Sequence, residues 1–454
     1  MDYDKIHIFV KDVSTYSYMK FYNRERELEK LQSIQRKSEK TAQFTYVVGR
    51  RRIGKTSLLL KSCADKTFLY FFISRKNEQL LCIDFVDEIE RKLGEKVYGN
   101  FVQFRQLFDY LMNLSKTRNF TLIIDEFQEF QNINASIFSD MQRIWDLNKE
   151  ESRLNLLVCG SIYSMMHTIF QNSKQPLFGR ATNTIHLQEF TVNTLKEILT
   201  EYYPEYDKDD LLSFYMYTGG VAKYVEIFIQ EEAFTKAKMW DVLFESNSFF
   251  LEEGKNVLIE EFGKEYGTYF SILSLIASSK TARPEIESIL EKEIGGYLDR
   301  LENVYNIIEK VKPLFSKEGT RLVKYVIKDN FLNFWFRYYY KQRAAIEIGN
   351  YSYVKQIVEE EYNVYSGSVL EKYFLNFEKS QFQYNQIGRY WERGNLNEID
   401  LIAVNDMNKT MKICEIKRNP SKINLSELKN KAAKIVESKS NYTIEYVGYS
   451  LLDM

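Results

Sequence analysis

Gly49-Arg50-Arg51-Arg52-Ile53-Gly54-Lys55-Thr56 is the stretch that decides the fold of this chain. It fits the spacing G-x-x-x-x-G-K-[ST], with the strand-like Phe44–Val48 running in and a helical Ser57–Lys61 running out. Glycine at such a turn lets backbone N–H groups curl around phosphate oxygens, and the helix that follows adds its positive end. In this reading Lys55 bridges the β- and γ-phosphates and the Thr56 hydroxyl binds Mg²⁺. Gly49, Arg50, Arg51, Arg52, Ile53, Gly54, Lys55, Thr56 and Ser57 are the expected nucleotide-binding residues, with ATP and Mg²⁺ as cofactors. A purely structural glycine turn is the alternative, and the strand-before, helix-after setting speaks against it.

Working outward, the apolar runs Phe44–Val48, Phe68–Phe72, Phe120–Ile124 and Leu154–Cys159 alternate with helical patterns. They are continuous rather than alternating, as parallel strands covered on both faces should be. The third run ends in Asp125-Glu126, which delivers two carboxylates to the edge where open α/β sheets bind ligands. Asp125 is expected to hold Mg²⁺ through water, and Glu126 to orient and deprotonate the attacking water. Ser161, at the end of the fourth run, is a candidate γ-phosphate sensor, although a strand-end serine without that role fits the pattern almost as well. Arg180, after Pro176-Leu177-Phe178-Gly179, is a candidate arginine finger among numerous exposed arginines. A finger acts most simply across a subunit interface, which implies a homo-oligomer.

With these motifs in hand, the sequence resembles the archaeal-type ATPases of the STAND/AAA+ P-loop group. The resemblance rests on Phe21-Tyr22-Asn23-Arg24-Glu25-Arg26-Glu27-Leu28, the phosphate loop and the Asp-Glu strand. It implies that Asn23 and Arg24 lie near the adenine end of the nucleotide. It also makes Gly179-Arg180 and Gly219-Gly220-Val221-Ala222-Lys223-Tyr224 family positions, the latter with Ala222 where proline is usual. Beyond Thr191 the pattern turns helical, and from Gly267 three short helical patterns precede two strand-like pieces, a winged-helix-like order. The expected organisation is a P-loop core (residues 1–190), a helical lid (191–255), a winged-helix-like domain (256–335), a connector (336–366) and a C-terminal α/β domain (367–454).

The C-terminal domain carries a second constellation. Glu398-Ile399-Asp400 opens a strand, and Met411-Lys412-Ile413-Cys414-Glu415-Ile416-Lys417 follows a polar turn. In a simple hairpin Val404 faces Met411, Ile402 faces Ile413 and Asp400 faces Glu415, with Lys417 on the same face. Two opposed carboxylates repel unless bridged, and a divalent cation is the natural bridge. Lys417 is then placed to stabilise charge or help activate water. An Asp…Glu-x-Lys arrangement resembles the PD-(D/E)xK nuclease signature and its restriction-endonuclease-like fold. That resemblance implies a Mg²⁺ or Mn²⁺ site at Asp400 and Glu415, joined by Glu371 from the fold's first helix. Between Lys409 and Lys434, eight Lys/Arg stand against Glu415 and Glu427, a net +6 suited to DNA phosphates.

Composition sets the outer bounds. The 454 residues are 44% hydrophobic, which excludes global disorder, and 62 Lys+Arg against 63 Asp+Glu exclude a globally basic nucleic-acid binder. Glycine (19) and proline (5) are scarce, which disfavours turn-rich all-β folds. Cys63, Cys82, Cys159 and Cys414 show no CxxC spacing and, with His7, His167 and His186, make no zinc pattern. No apolar run approaches 18 residues and the start Met1-Asp2-Tyr3-Asp4 lacks a basic leader, so no membrane partner and a cytoplasmic setting with reduced thiols are expected. The leading expectation is an ATPase controlling a C-terminal metal-dependent DNA nuclease. A nucleotide-switched DNA-binding regulator that does not cut is the alternative.

Overall fold

A computed structural model describes residues 19–454; His7 and the Met1–Asp4 start lie outside them. The chain divides into two compact units, one ending at Glu189 and the other running from Phe190 to Met454.

The first unit is built on five parallel strands, β1 (Gln43–Val48), β2 (Phe68–Phe72), β3 (Phe120–Asp125), β4 (Leu154–Cys159) and β5 (Asn183–His186), in the order β2-β3-β4-β1-β5. Alternate residues of each strand enter different cores. Phe120, Leu122 and Ile124 join Phe44, Tyr46 and Leu156 on one face, whereas Ile123 joins Val47, Leu157 and Cys159 on the other. Burial on both faces is why these strands read as unbroken apolar runs. The four expected strands fall where they were read. The fifth, Asn183-Thr184-Ile185-His186, was not expected: it is an edge strand with only Ile185 buried, so it carries no apolar run.

In the second unit, helices occupy most of residues 192–299, and Ala222 opens the helix Ala222–Gln230 despite the missing proline. Helices Tyr266–Ala277, Arg283–Leu290 and Gly295–Asp299 precede a two-stranded antiparallel ribbon, β6 (Ile308–Val311) with β7 (Lys324–Ile327). The third helix continues only as a π-turn to Val304, because Ile308 already pairs with Ile327.

One helix of 30 residues, Tyr351–Ser380, runs through the boundary expected at residues 366 and 367. Residues 351–366 of the expected connector are therefore continuous with the helix that carries Glu371. A four-stranded sheet follows: β8 (Gln386–Tyr390), β9 (Ile399–Asn405) and β10 (Thr410–Lys417) are antiparallel neighbours, and β11 (Thr443–Ser450) lies parallel to β10. The helix Leu425–Ser438 makes the crossover that a parallel pair requires, and its Leu428, Ala432 and Ile435 pack on Ile402, Met411 and Ile413. The hairpin register is the expected one, Val404 with Met411 and Ile402 with Ile413.

Candidate functional site: a phosphate loop and its carboxylates

The phosphate loop leaves the C-terminal end of β1. A side chain at Gly49 would place its Cβ 2.6 Å from the Leu187 carbonyl oxygen, and Gly54 takes the left-handed conformation (φ +94°) that starts the helix Lys55–Ser62. Lys55 is buried and its Nζ donates to the carbonyls of Gly49 and Arg50, both at 2.8 Å. Ile53 is buried, Arg50, Arg51 and Arg52 are half-buried, and Ser57 is exposed.

At the end of β3, Asp125 is buried and accepts four hydrogen bonds. Its Oδ2 takes the Thr56 hydroxyl at 2.7 Å and the Tyr70 hydroxyl at 2.9 Å. Its Oδ1 takes the Glu126 amide and the Cys159 thiol, each at 2.9 Å. All four donors are uncharged. Burial pushes the Cys159 thiol well up, and Asp125 adds to it, so the sulfur keeps its proton and remains a donor. Tyr70 is pushed up in the same way, first by burial and then by Asp125.

Glu126 sits at φ +54°, ψ +39°, a left-handed conformation that costs a non-glycine residue roughly 1–3 kcal/mol and persists only where surroundings enforce it. Here Ser161 Oγ donates to Glu126 Oε2 at 2.7 Å and Gln128 Nε2 at 2.5 Å. Ser161 therefore reaches the carboxylate expected to activate water.

Arg24 is buried and donates to the Gln188 carbonyl at 2.7 Å, while the Leu187 amide beside it donates to Val48 at 2.8 Å. Arg24 and Asn23, the latter at φ +49°, are thereby tied to the phosphate-loop end of β1. Arg180 is elsewhere. Thr182 donates to Phe44 and Asn183 pairs with Thr45, so Arg180 lies at the opposite end of the sheet from Gly49. Its guanidinium is held by Asp146 at 3.2 Å and by the Phe178 carbonyl at 3.0 Å. It contributes nothing to its own chain's phosphate loop, and a finger role is open to it only toward another copy. Sequence reading missed Tyr70, Gln128 and the role of Cys159. Tyr70 and Cys159 looked like ordinary strand residues, and only the pairing of β2 and β4 with β3 brings them to Asp125.

In the C-terminal domain, Asp400 and Glu415 do converge, but the charge between them is a side chain. Lys417 Nζ is 3.2 Å from Asp400 and 3.9 Å from Glu415. Backbone groups donate as well: Ile416 N to the same Asp400 oxygen, Oδ2, at 2.8 Å, and Asn424 N to Glu415 Oε2 at 2.6 Å. Glu371 pairs with Arg389 at 3.2 Å. Burial pushes its carboxyl up to about 7, Arg389 opposing and Asp400 reinforcing the shift. Burial works against the charge of Lys417, yet Asp400 and Glu415 raise it overall. Among the described residues, no three of His, Cys, Asp and Glu gather as a group that could hold a metal ion. Lys417 lies against Asp400 and Glu415, and Arg389 against Glu371, the three carboxylates expected to hold a divalent cation.

The basic stretch is also less basic in space than in sequence. Of its eight cations, Lys412 pairs with Glu378, Lys417 with Asp400, Arg418 with Asp209, Lys431 with Glu427 and Lys434 with Glu392. Lys409, Lys422 and Lys429 remain, exposed and, among the described residues, without a carboxylate within salt-bridge distance. Four of the compensating carboxylates, Asp209, Glu378, Glu392 and Asp400, come from outside the stretch.

The donor set at the phosphate loop fits Mg²⁺-ATP: a hydroxyl and a carboxylate for a hard cation, a buried ammonium and a helix N-terminus for phosphates. Sheet order, loop and Asp-Glu strand define a P-loop ATPase. The comparisons agree. Residues 21–228 match the family model described as an ATPase domain predominantly from Archaea, and residues 335–435 match one described as archaea bacterial proteins of unknown function. An uncharacterized protein of Methanocaldococcus jannaschii is 30% identical over 411 residues, 87% of each chain. A second from the same organism is 30% identical over 80 residues, 17% of this chain and 78% of that one. The solved Walker-type ATPase of Pyrococcus abyssi shares the fold, with a TM-score of 0.53 at 18% identity over 70% of this chain and 96% of its own. The chain belongs to this family of archaeal-type P-loop ATPases. No helix among the described residues is long and apolar enough to cross a membrane.

Proposed function

We propose that the chain hydrolyses ATP at the phosphate loop and uses the nucleotide state to control nucleic-acid binding by its C-terminal domain. The observation that carries the first part is the 2.7 Å hydrogen bond from Thr56 to Asp125, which joins the loop to the acidic strand. Lys55 and the N–H groups of residues 49–57 bind the phosphates. Thr56 and Asp125 hold Mg²⁺, which when bound neutralises charge on the β- and γ-phosphates. Glu126 orients the attacking water and takes its proton, and Ser161 and Gln128 fix that carboxylate. Purified protein should hydrolyse ATP only with Mg²⁺, and Lys55→Ala should abolish turnover. Hydrolysis that survives Lys55→Ala sinks the reading.

For the C-terminal domain, the order helix, three antiparallel strands, helix, parallel strand supports a restriction-endonuclease-like domain, and the Lys417-bridged carboxylates favour holding nucleic acid over cutting it. Lys409, Lys422 and Lys429 supply the phosphate contacts. The convergence of Asp400 and Glu415 on Lys417 favours a second reading, Mg²⁺- or Mn²⁺-dependent DNA cleavage, in which Lys417 withdraws to admit the metal. A cleavage assay on single- and double-stranded DNA separates the two. Nicking that requires metal and is lost in Asp400→Ala establishes cutting, and binding without nicking establishes holding.

A further inference from the structure

Asp125 can serve a nucleotide-bound metal only if its carboxylate is aimed, and the terminal torsion of aspartate is soft. Two of its partners constrain it little: the Glu126 amide is its neighbour in sequence, and Thr56 is the hydroxyl expected on the metal. The other two partners come from the strands on either side of β3. Tyr70 is on β2, where Tyr70 pairs with Ile123 and Phe72 with Asp125, so its ring runs along the sheet to reach Oδ2. Cys159 is the last residue of β4 and is fully buried, with its sulfur against Oδ1. One donor therefore holds each oxygen from each side, and both are anchored in the parallel sheet rather than in a loop.

We infer that Tyr70 and Cys159 are positioning residues that set the affinity of the nucleotide site for Mg²⁺ by fixing the Asp125 carboxylate. The inference rests on the reading of Asp125 as the carboxylate beside the metal. Groups that hydrogen-bond a metal-holding side chain fix its orientation, and their loss typically weakens metal binding about 10–100-fold. Neither residue touches nucleotide in this scheme. A tyrosine that only filled space would have no reason to share an oxygen with Thr56, the hydroxyl expected on the metal.

The test is a titration of Mn²⁺ into the full chain bound to a non-hydrolysable ATP analogue, read by electron paramagnetic resonance, with thermal melting as the check of folding. Tyr70→Phe keeps the ring and removes the donor, and should weaken Mn²⁺ about 10-fold while nucleotide binding in excess chelator is retained. Cys159→Ala should weaken it in the same direction, and Cys159→Ser, which restores an O–H donor, should recover it. Asp125→Ala is the control and should remove the tight site. If Asp125→Ala removes the site but Tyr70→Phe and Cys159→Ala bind Mn²⁺ as tightly as the parent, or more tightly, the positioning role is wrong and the assignment of Asp125 stands. If Asp125→Ala itself leaves Mn²⁺ binding unaltered, the assignment of Asp125 fails. Should Tyr70→Phe not fold, the Ala/Ser pair at Cys159 decides.

Discussion

Asp125, at the end of β3 in the first unit, and Asp400, in β9 of the second, are both strand carboxylates, yet their surroundings differ in kind. Asp125 is surrounded by neutral donors, two hydroxyls, a thiol and an amide, and its negative charge is left for something that arrives. Asp400 and Glu415 already share the Lys417 ammonium, and Glu371 already has Arg389. A carboxylate satisfied by neutral dipoles stays attractive to a cation, whereas one satisfied by a resident cation must first lose it. The two regions thus teach that carboxylate convergence is not enough to define a metal site; the charge of the partners decides.

The largest effect expected from this contrast is at Glu126. Glu126→Gln should lower ATP turnover at least about 100-fold with ATP binding retained, as steady-state hydrolysis and equilibrium binding would show. Turnover near that of the parent would remove Glu126 from its role.

Next is Lys417. Lys417→Met leaves Asp400 and Glu415 facing each other without a cation and should cost about 1–2 kcal/mol once solvent screening of the partly exposed ammonium is allowed for. Added Mg²⁺ or Mn²⁺ should restore melting temperature in this variant and do little at this site in the parent. Equal metal effects in both proteins would mean that Lys417 does not stand in for a metal.

A smaller effect concerns salt. If only Lys409, Lys422 and Lys429 contact phosphate, the logarithm of DNA affinity should fall against the logarithm of salt concentration with a slope of about −3, and each lysine-to-alanine change should reduce it by about 1. A slope near that of all eight cations would show that the ion pairs open on binding.

The smallest is at Glu371. Its carboxyl is raised to about 7, chiefly by burial, so the stability it contributes is full below its ordinary pKa and is lost as pH rises through about 7. Glu371→Gln lacks that loss. It should gain about 2–4 °C in melting temperature relative to the parent between pH 5 and pH 8, a gain absent if Arg389 fully compensates the charge.

Where a feature depends on neighbours in sequence, it was legible. The phosphate loop, four continuous strands and the β9–β10 register all follow from local pattern, because both-face burial and hairpin parity leave direct traces. Features that depend on distant partners were not. The β5 strand is too polar to announce itself, and the helix Tyr351–Ser380 crosses the boundary expected at residues 366 and 367. Tyr70 and Cys159 meet Asp125 only through strand order. The net +6 stretch looked like a nucleic-acid face because Asp209, Glu378 and Glu392, which neutralise it, lie far away in the chain.

The measurement that tests the central claim most directly is the number and location of tight Mn²⁺ sites in the full chain, by electron paramagnetic resonance with and without ATP analogue. One site is expected, present only with nucleotide, lost in Asp125→Ala and unaffected by Asp400→Ala. A tight site that forms without nucleotide and disappears in Asp400→Ala would contradict it.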